Sequence, residues 1–471
     1  MRVLIFHGYL LRGTGSNIYN ANLARTLAAL GHEVDLLCQD RAWEAPEGVT
    51  VHNPDIGRVL PVYVADEYEG FDAKPYPDLT DAELEHYIAA NVEAVRGVRR
   101  PDVALANHLV MGPAILARAS VAPYAVKIHG SALEYTVRPH PERFLPYALE
   151  GVRGANGILV GSEHTAGSLF EVLADEPSLP ERTRLGPPGV DVHEFRPREP
   201  DLEALASRPL AEWGGEEGAA ETLRMLDPSR DRIVSYVGKL IVSKGVDLLL
   251  AAWPLVVDRV PEARLLVVGF GTYREALGRF VAALRGADVG ALREIAARGR
   301  ELEGGPPGEL RFLSAFLDTV DERWIRAAPA AAERIHFTGR LEHDDLPLLL
   351  PACEAQVMPS TFPESFGMVA AEAAACGVLP LSASHSGMAE VTAALRPALP
   401  EPLRPLLSFD VGPGAVREMA EKLVTWLELD PAEREAASAA LAAETARRYS
   451  WESVAESVIA AAAGTDSLPA P

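Results

Sequence analysis

Short apolar runs alternate with amphipathic segments along the chain. The first run, RVLIF, precedes NIYNANLARTLAALGH, in which Leu23, Leu27 and Leu30 share one helical stripe before the stop at Gly31. The runs EVDLLC, DVALAN, YAVKIH and GILVGS continue the series. This alternation predicts βαβ units, and therefore a parallel sheet with helices on both faces.

The alternation stops near GPPGVDVHEFRPREP and restarts further on. Residues 201–232 are charged and hold no strand candidate, so we interpret them as a helical linker or surface insertion. A second series of strands then runs through RIVSYVGKL, ARLLVVGFG, RIHFTGRL, EAQVMPS and VLPLSAS. A Gly/Pro-containing segment at about 285–332 interrupts it and predicts a helical excursion. A chain of 471 residues is too long for one core, so two α/β halves are expected.

Composition and charge narrow the classes of function. The formal net charge of -23 argues against a nucleic acid partner, and it weakens the case for docking on an anionic membrane. Cys38, Cys353 and Cys376 are too scattered for a disulfide framework, which favours a reduced, cytoplasmic setting. No signal-peptide pattern follows the first strand, and no apolar window of about 18 residues predicts an integral membrane segment.

The stretch STFPESFGMVAAEAAACG places two carboxylates eight positions apart. Ser365 is a predicted N-cap, and FGMVAAEAAAC reads as a helix closed by Gly377. The amides near residues 366–369 would then form an anion site, and Gly367 would let a ligand approach the backbone. Glu364 and Glu372 flank that site.

Carboxylates beside a phosphate site are useful where hydroxyl groups lie on each side of the phosphates. A nucleotide diphosphate sugar has this arrangement: Glu364 would reach the transferred sugar and Glu372 the ribose. The alternative is a glutamate that stabilises the helix dipole and a second one on a solvated face. The spacing of two glutamates does not by itself decide between these interpretations.

Several segments together resemble one known family. PESFGMVAAEAAACG resembles the E-x7-E motif of glycosyltransferase family 4, retaining enzymes of the GT-B fold. SYVGKLIVSKGVDLLLAAW resembles the family's G-R-L-x-x-x-K-G-x-D segment, with Lys239 in the usual arginine position. Five further segments match the family in its usual order. They are the first helix–strand unit, PPGVDVHEFRP, LLVVGFGTYREAL, the segment leading into E-x7-E and the closing RRYSWESVAE. The resemblance covers most of the chain.

The resemblance implies a GT-B fold, with two Rossmann-like domains facing across a cleft and a closing helix that returns to the first domain. The implied bounds are 1–198 for the acceptor-side domain, 199–232 for the linker, 233–445 for the donor-binding domain and 446–471 for the closing helix and tail. The implied activity is a retaining hexosyl transfer from a nucleotide diphosphate sugar.

The same resemblance, with the chemistry of the residues, supplies a candidate site. Lys239 and Lys244 would balance the charge of the leaving phosphate, although lone lysines are usually only solvated.

The loop RGTGSN resembles a glycine-rich phosphate loop. A simple turn is the alternative, and Ile18 breaks the G-x-G-x-x-G dinucleotide pattern. The candidate catalytic residues are Glu364, His129, Lys239 and Lys244. The candidate donor-binding residues are Gly13, Thr14, Gly15, Gly238, Arg340, Leu341, Ser365, Phe366, Gly367, Met368, Val369 and Glu372.

His129 ends a strand, where α/β sheets bind ligands, and a histidine in such a position of the family lies near the donor sugar. A purely structural histidine is the alternative.

No metal or cofactor is required by the sequence. The 12 histidines are dispersed, and Asp344 and Asp345 are interpreted as helix caps. The expected partners are a UDP- or GDP-sugar donor and an unidentified acceptor, which is a small molecule, a glycan or a lipid. The sequence does not indicate an oligomeric state. Two other functions remain open: a sugar-nucleotide 2-epimerase, which product analysis would separate, and a non-catalytic binder, which donor hydrolysis would exclude.

Overall fold

The computed structural model describes residues 1–12, 15–63, 70–208, 215–364 and 366–465. The chain divides into two compact units. Unit 1 comprises Met1–Gly189 and Arg448–Pro471, and unit 2 comprises Val190–Arg447. No helix of the described residues is both long enough and apolar enough to cross a bilayer.

Fifteen strands are found in the described residues. They are β1 (Arg2–Phe6), β2 (Glu33–Leu37), β3 (Val49–His52), β4 (Val59–Val62), β5 (Asp72–Pro75), β6 (Val103–Asn107), β7 (Tyr124–Ile128), β8 (Gly157–Val160), β9 (Thr183–Leu185), β10 (Arg232–Val237), β11 (Ala263–Val268), β12 (Ile335–Gly339), β13 (Ala355–Met358), β14 (Leu379–Ala383) and β15 (Ser408–Phe409).

The α-helices lie between these strands and after them. They are α1 (Gly15–Ala29), α2 (Asp81–Gly97), α3 (Gly112–Arg118), α4 (Pro141–Arg153), α5 (Glu163–Val172), α6 (Leu179–Arg182), α7 (Leu202–Ala206), α8 (Ala219–Met225), α9 (Val246–Val257), α10 (Arg274–Arg285), α11 (Val289–Arg298), α12 (Arg311–Leu317), α13 (Glu322–Ala332), α14 (Leu346–Leu349), α15 (Met368–Ala375), α16 (Ser386–Leu395), α17 (Ala415–Leu427), α18 (Pro431–Tyr449) and α19 (Trp451–Ala463). Short 3-10 turns include Val242–Lys244, Arg300–Glu303 and His343–Asp345.

Unit 1 is built on a seven-stranded parallel sheet of order β3-β2-β1-β6-β7-β8-β9, and β4 pairs separately with β5. Apolar side chains of α2, α3 and α4 form a core on one face of the sheet. The opposite core joins α1 and α19, where Trp451 and Val458 lie in one cluster with Leu23 and Leu105. The last helix of the chain is therefore part of unit 1.

Unit 2 is built on a six-stranded parallel sheet of order β12-β11-β10-β13-β14-β15. Counted from β10, this is the doubly wound order 3-2-1-4-5-6, in which the direction of winding reverses between β10 and β13. Such sheets bind ligands outside the carboxyl ends of the strands at that switch point. The two parallel sheets confirm the predicted α/β class, and they direct attention to the loops that follow β10 and β13.

Helices α11, α12 and α13 occupy the segment that interrupts the second series of strands. Their apolar residues, among them Leu292, Phe316 and Trp324, are buried. The Trp324 indole N–H donates to the Ala251 carbonyl of α9 at 2.9 Å, so this segment packs on the helix that follows the β10 loop.

Candidate functional site

The loops after β10 and β13 meet at the switch point of unit 2. The first loop ends in the 3-10 turn Val242–Lys244, and Gly245 follows it with φ of 65°. A Cβ atom at Gly245 would collide with the Pro359 carbonyl oxygen of the second loop. Glycine therefore allows both the left-handed turn and the close approach of the two loops.

An ion pair joins the two loops at this point. The Lys244 ammonium donates to Glu364 Oε1, and the Ser360 hydroxyl donates to the same oxygen at 2.8 Å. Both charged side chains remain about one quarter to one third exposed. The structure thus brings together two of the four predicted catalytic residues.

The backbone of Glu364 is held by the start of α16. The Glu364 N–H donates to Ser386 Oγ at 2.8 Å, and the Gly387 N–H donates to the Glu364 carbonyl at 2.9 Å. Ser386 has φ of 53°, a left-handed conformation that costs energy for a residue with a side chain. His385 Nε2 donates to the Ser360 carbonyl at 2.8 Å.

Sequence reasoning missed this second layer of the site. No motif in the sequence predicted the contacts of Ser360, His385 and Ser386. Their positions nevertheless gave a signal, because Ser360 ends the predicted strand segment EAQVMPS, and His385 and Ser386 directly follow VLPLSAS, at the ligand-binding edge of the sheet.

A cavity of about 100 Å³ opens beside the ion pair. Lys244, Glu364, Gly238 and the start of α15 line it. Met368 and Val369 are the first two residues of this helix, so their amides have no intrahelical acceptor. The cavity therefore combines a lysine and a helix N-terminus, which suit a phosphate, with a carboxylate, which suits hydroxyl groups.

The helix itself starts later than predicted. It begins at Met368, and Gly367 precedes it with φ of -117° and ψ of 61°, which is not helical. Glycine at this position is a poor helix former, which explains the late start. The predicted N-cap, Ser365, lies outside the described residues. The predicted end is correct, since Gly377 has φ of 79° and donates to the Ala374 carbonyl at 2.9 Å.

Glu372 lies in the interior of unit 2, with 3% of its surface exposed. Its Oε1 atom is 2.8 Å from His343 Nε2. Burial alone would lower the pKa of His343, but the hydrogen bond and charge of Glu372, aided by Asp344 and Asp191, raise it overall. Among the described residues, Glu372 is not one of those that line the cavity beside Glu364.

The other predicted residues of unit 2 lie around the strand ends. Lys239 is exposed, and its carbonyl accepts from the Tyr236 hydroxyl at 2.8 Å. Arg340 and the partly buried Leu341 follow β12. The Arg340 guanidinium pairs with Glu342 at 2.9 Å and lies over the Phe270 ring.

His129 lies in unit 1, directly after β7, and donates through Nε2 to Asn107 Oδ1 at 2.8 Å. Burial, followed by the nearby His108, Lys127 and His7, holds the pKa of His129 well below its usual value of 6.5. The imidazole is therefore neutral at neutral pH. Its ring centroid is 4.8 Å from that of His108.

Two histidines that sequence reasoning missed follow the two strands at the switch point of unit 1. His7 follows β1 and His108 follows β6, and both are buried. Neither ring nitrogen of His108 has a hydrogen-bond partner in the described part of the chain. Gly15 begins α1, and an added Cβ there would meet no atom within 4 Å. Gly13 and Thr14 lie outside the described residues.

Of Asp344 and Asp345, which the sequence predicts as caps of the next helix, Asp345 caps a 3-10 turn and makes no side-chain capping bond to α14. Asp345 Oδ2 accepts from the Glu342 N–H at 3.0 Å in a capping box around His343–Asp345, and its Oδ1 pairs with Arg208 at 2.7 Å. Among the described residues, no group of three or more His, Cys, Asp or Glu side chains is arranged to hold a metal ion.

Two family models match the chain. The model described as Glycosyltransferase Family 4 matches residues 13–194, and the model described as Glycosyl transferases group 1 matches residues 326–440. A D-inositol 3-phosphate glycosyltransferase from Kribbella flavida is 27% identical over 466 residues, which cover 95% of this chain and 90% of the relative. A GDP-mannose-dependent monoacylated alpha-(1-6)-phosphatidylinositol monomannoside mannosyltransferase from Corynebacterium glutamicum is 26% identical over 57% of this chain and 53% of its own length.

Solved structures resemble the chain over nearly its whole length. Sucrose-phosphate synthase from Thermosynechococcus elongatus gives a TM-score of 0.60 at 19% identity, covering 97% of this chain and 96% of its own. The Anabaena protein HepE in complex with UDP-glucose gives 0.58 at 16% identity, covering 98% of each chain. At these identities the likeness speaks for the fold alone, and it confirms the GT-B fold.

Proposed function

Because the chain belongs to glycosyltransferase family 4 and is a glycosyltransferase, we propose that it transfers a hexosyl group from a UDP- or GDP-sugar to an acceptor hydroxyl with retention of anomeric configuration. The observation that carries this proposal is the Lys244–Glu364 pair beside the first turn of α15 at the switch point of unit 2. This arrangement matches the charges of a sugar diphosphate.

Positive charge at the site suits the leaving diphosphate. When the bond between the anomeric carbon and the phosphate oxygen breaks, negative charge develops on the phosphate. Lys244 and the amides of Met368 and Val369, at the cavity, would stabilise that charge. The exposed Lys239, which follows the cavity residue Gly238, is proposed to add to it. Donor binding would draw the Lys244 ammonium from Glu364 to the diphosphate.

Glu364 would then accept hydrogen bonds from hydroxyls of the transferred sugar. Ser360 and Ser386 fix its side chain and backbone, so the carboxylate is held in one place. In a front-face reaction the acceptor oxygen bonds to the anomeric carbon on the side that the diphosphate leaves. The acceptor proton passes to the departing phosphate oxygen, so no protein nucleophile is required.

The acceptor is proposed to bind at the strand ends of unit 1, near His108, and His129 would lie near the transferred sugar, as the family resemblance implies. Neutral imidazoles there suit hydroxyl groups as hydrogen-bond partners. The acceptor class stays open between a small molecule, a glycan and a lipid, since one relative is named for D-inositol 3-phosphate and another for a phosphatidylinositol mannoside. A cytoplasmic location, predicted from the scattered cysteines, suits this donor class.

The experiment measures nucleoside diphosphate release from UDP-glucose, UDP-N-acetylglucosamine and GDP-mannose, by wild type, Glu364→Gln and Glu364→Ala. We expect release with at least one donor, partial activity for Gln and none for Ala, and a retained anomeric configuration by NMR of a transfer product.

Intact-mass spectrometry with donor alone tests the chemical course. A one-sugar adduct on the wild type that is absent from Glu364→Gln would replace front-face transfer by double displacement. A donor sugar inverted at C2 without transfer would indicate the epimerase. Binding without any turnover would indicate a non-catalytic binder.

A further inference from the structure

We propose that Glu303, in the helical segment at 285–332, is a positioning residue for Lys244. This inference rests on the proposed function, in which Lys244 binds the diphosphate of the donor. It gives the interrupting segment, which no motif in the sequence explains, a role in donor binding.

The contact is a direct hydrogen bond to the backbone of the lysine turn. Val242 is the first residue of the 3-10 turn that ends in Lys244, and its N–H donates to Glu303 Oε2 at 2.7 Å. The Glu303 side chain is 11% exposed, so water competes little for this bond. A carboxylate acceptor makes such a bond about twice as strong as a neutral one.

The other side of the same turn is tied to the loop that carries Glu364. The Ser243 carbonyl accepts from the Thr361 N–H at 2.8 Å and from the Thr361 hydroxyl at 3.3 Å. The turn is therefore held between two segments. The β13 loop fixes its carbonyl side, and Glu303 fixes its N–H side.

Glu303 is itself held on a braced turn. Arg300 Nε contacts Glu303 Oε1 at 3.4 Å, the Arg300 N–H donates to the Gly308 carbonyl at 3.2 Å, and the Gly305 N–H donates to the Arg300 carbonyl at 3.0 Å. The Trp324 indole anchors the same segment to α9, the helix that starts directly after Gly245. The segment thus contacts the chain on both sides of Lys244.

A fixed turn matters because lysine is a flexible point charge. Its four-carbon stem reaches the diphosphate reproducibly only if the Cα position is set by the backbone, and binding groups need placement within about 0.5 Å. Loss of the Val242–Glu303 bond would let the turn relax, and the lysine would then lose affinity for the ligand. The competing explanation is that Glu303 caps a turn and contributes to folding stability alone.

The test measures binding of UDP and GDP by titration calorimetry, together with thermal unfolding midpoints. The variants are Glu303→Ala, Glu303→Gln and Glu303→Asp. Gln keeps the length and an acceptor oxygen, whereas Asp keeps the charge and loses the reach. The matched control is Glu301→Ala, two residues away on the same turn, whose exposed carboxylate pairs only with Arg298 among the described residues.

We expect Kd for the better-binding nucleotide to rise about 10-fold in Glu303→Ala and in Glu303→Asp, as for the loss of a hydrogen bond to a charged group. Glu301→Ala should stay within about 2-fold of wild type, and Glu303→Gln, which keeps the reach but makes a weaker neutral bond, should bind more weakly than wild type and more tightly than Glu303→Asp. If the Ala variant does not fold, the Gln and Asp pair decides the question in the same way.

Three results would overturn the inference. In the first, folded Glu303→Asp and Glu303→Ala bind the nucleotide with the Kd of the wild type and only their unfolding midpoints are lowered. Glu303 would then contribute to folding stability and not to ligand binding. In the second, Glu303→Gln binds the nucleotide weakly and Glu303→Asp binds it normally. The charge of Glu303, and not the position of its oxygen, would then account for its effect on nucleotide binding. A wild-type protein that binds neither nucleotide would overturn the proposed function first, and this inference with it.

Discussion

Replacing Lys244 by methionine should separate catalysis from stability. Methionine keeps most of the length and apolar stem of lysine and removes the charge. In the structure Lys244 is paired with Glu364 across the two loops of the switch point. If Lys244 serves to bind the diphosphate of the donor, loss of its charge should reduce turnover strongly and folding stability only slightly.

The exposure of the pair sets the expected cost in stability. The Lys244 and Glu364 side chains are 30% and 26% exposed, and ion pairs of this kind contribute about 0–1 kcal/mol. For domains of 150–250 residues, 1 kcal/mol shifts the unfolding midpoint by roughly 2–4 °C. The same charge aimed at a leaving phosphate is worth about 2.7–4 kcal/mol in the transition state, or about 10²–10³-fold in kcat.

The chain offers a closely matched control. Lys74 pairs with Glu83 in unit 1 at 2.8 Å, with side chains 33% and 30% exposed. The assay compares initial rates of nucleoside diphosphate release and unfolding midpoints for Lys244→Met and Lys74→Met. We expect similar small midpoint shifts and a loss of rate in Lys244→Met alone. Equal rates in the two variants would refute the reasoning and reduce the Lys244–Glu364 pair to a structural contact.

Three further predictions concern the ribose contact, pH and metal ions. Glu372→Ala should raise the donor KM with kcat little changed, because a ribose contact is alike in ground and transition states; an unchanged KM in a folded variant would remove Glu372 from the site. Burial, with a contribution from Glu303, raises the pKa of the 3% exposed Asp247 to about 7, so the fold favours its protonated form. The stabilising contribution of the protonated Asp247 is complete below about pH 4 and is lost as the pH rises through 7. The unfolding free energy of the wild type, measured by urea titration relative to that of Asp247→Asn, should therefore fall by about 3 kcal/mol between pH 5 and pH 8. An equal difference in unfolding free energy between the two proteins at pH 5 and at pH 8 would contradict this. Turnover should survive EDTA, because lysines and the α15 amides supply the positive charge; a loss that magnesium or manganese restores would show that they do not suffice.

The architecture was accessible from the sequence because it rests on repeated patterns. Each apolar run of the two series became a buried parallel strand, from Arg2–Phe6 to Leu379–Ala383. A strand buried on both faces needs a continuous apolar run, and that requirement leaves a strong signal. The pairing of Lys244 with Glu364 could be anticipated for a related reason, since both follow strands that meet at the switch point.

Contacts between distant segments left no comparable signal. Glu303 reaches Val242 across 61 positions, and nothing in RGRELEGGPPG distinguishes Glu303 from the solvated Glu301 two residues earlier. The late start of α15 depended on the backbone of one glycine, Gly367. Glu372 contacts His343, which comes 29 residues earlier in the chain, and no pattern in the sequence predicted that contact.

The two switch points carry different chemistry, and the difference bears on which ligand each would hold. At the strand ends of unit 1, burial lowers the pKa of His7 to about 4, and His108 and His129 are held neutral in the same way. At the strand ends of unit 2, Lys244 and Glu364 form a partly exposed ion pair beside a cavity. A diphosphate requires compensating charge, whereas an acceptor hydroxyl requires a neutral hydrogen-bonding partner that leaves its oxygen nucleophilic. Under the proposed function, the charged switch point would therefore hold the donor, and the neutral one would hold the acceptor hydroxyl.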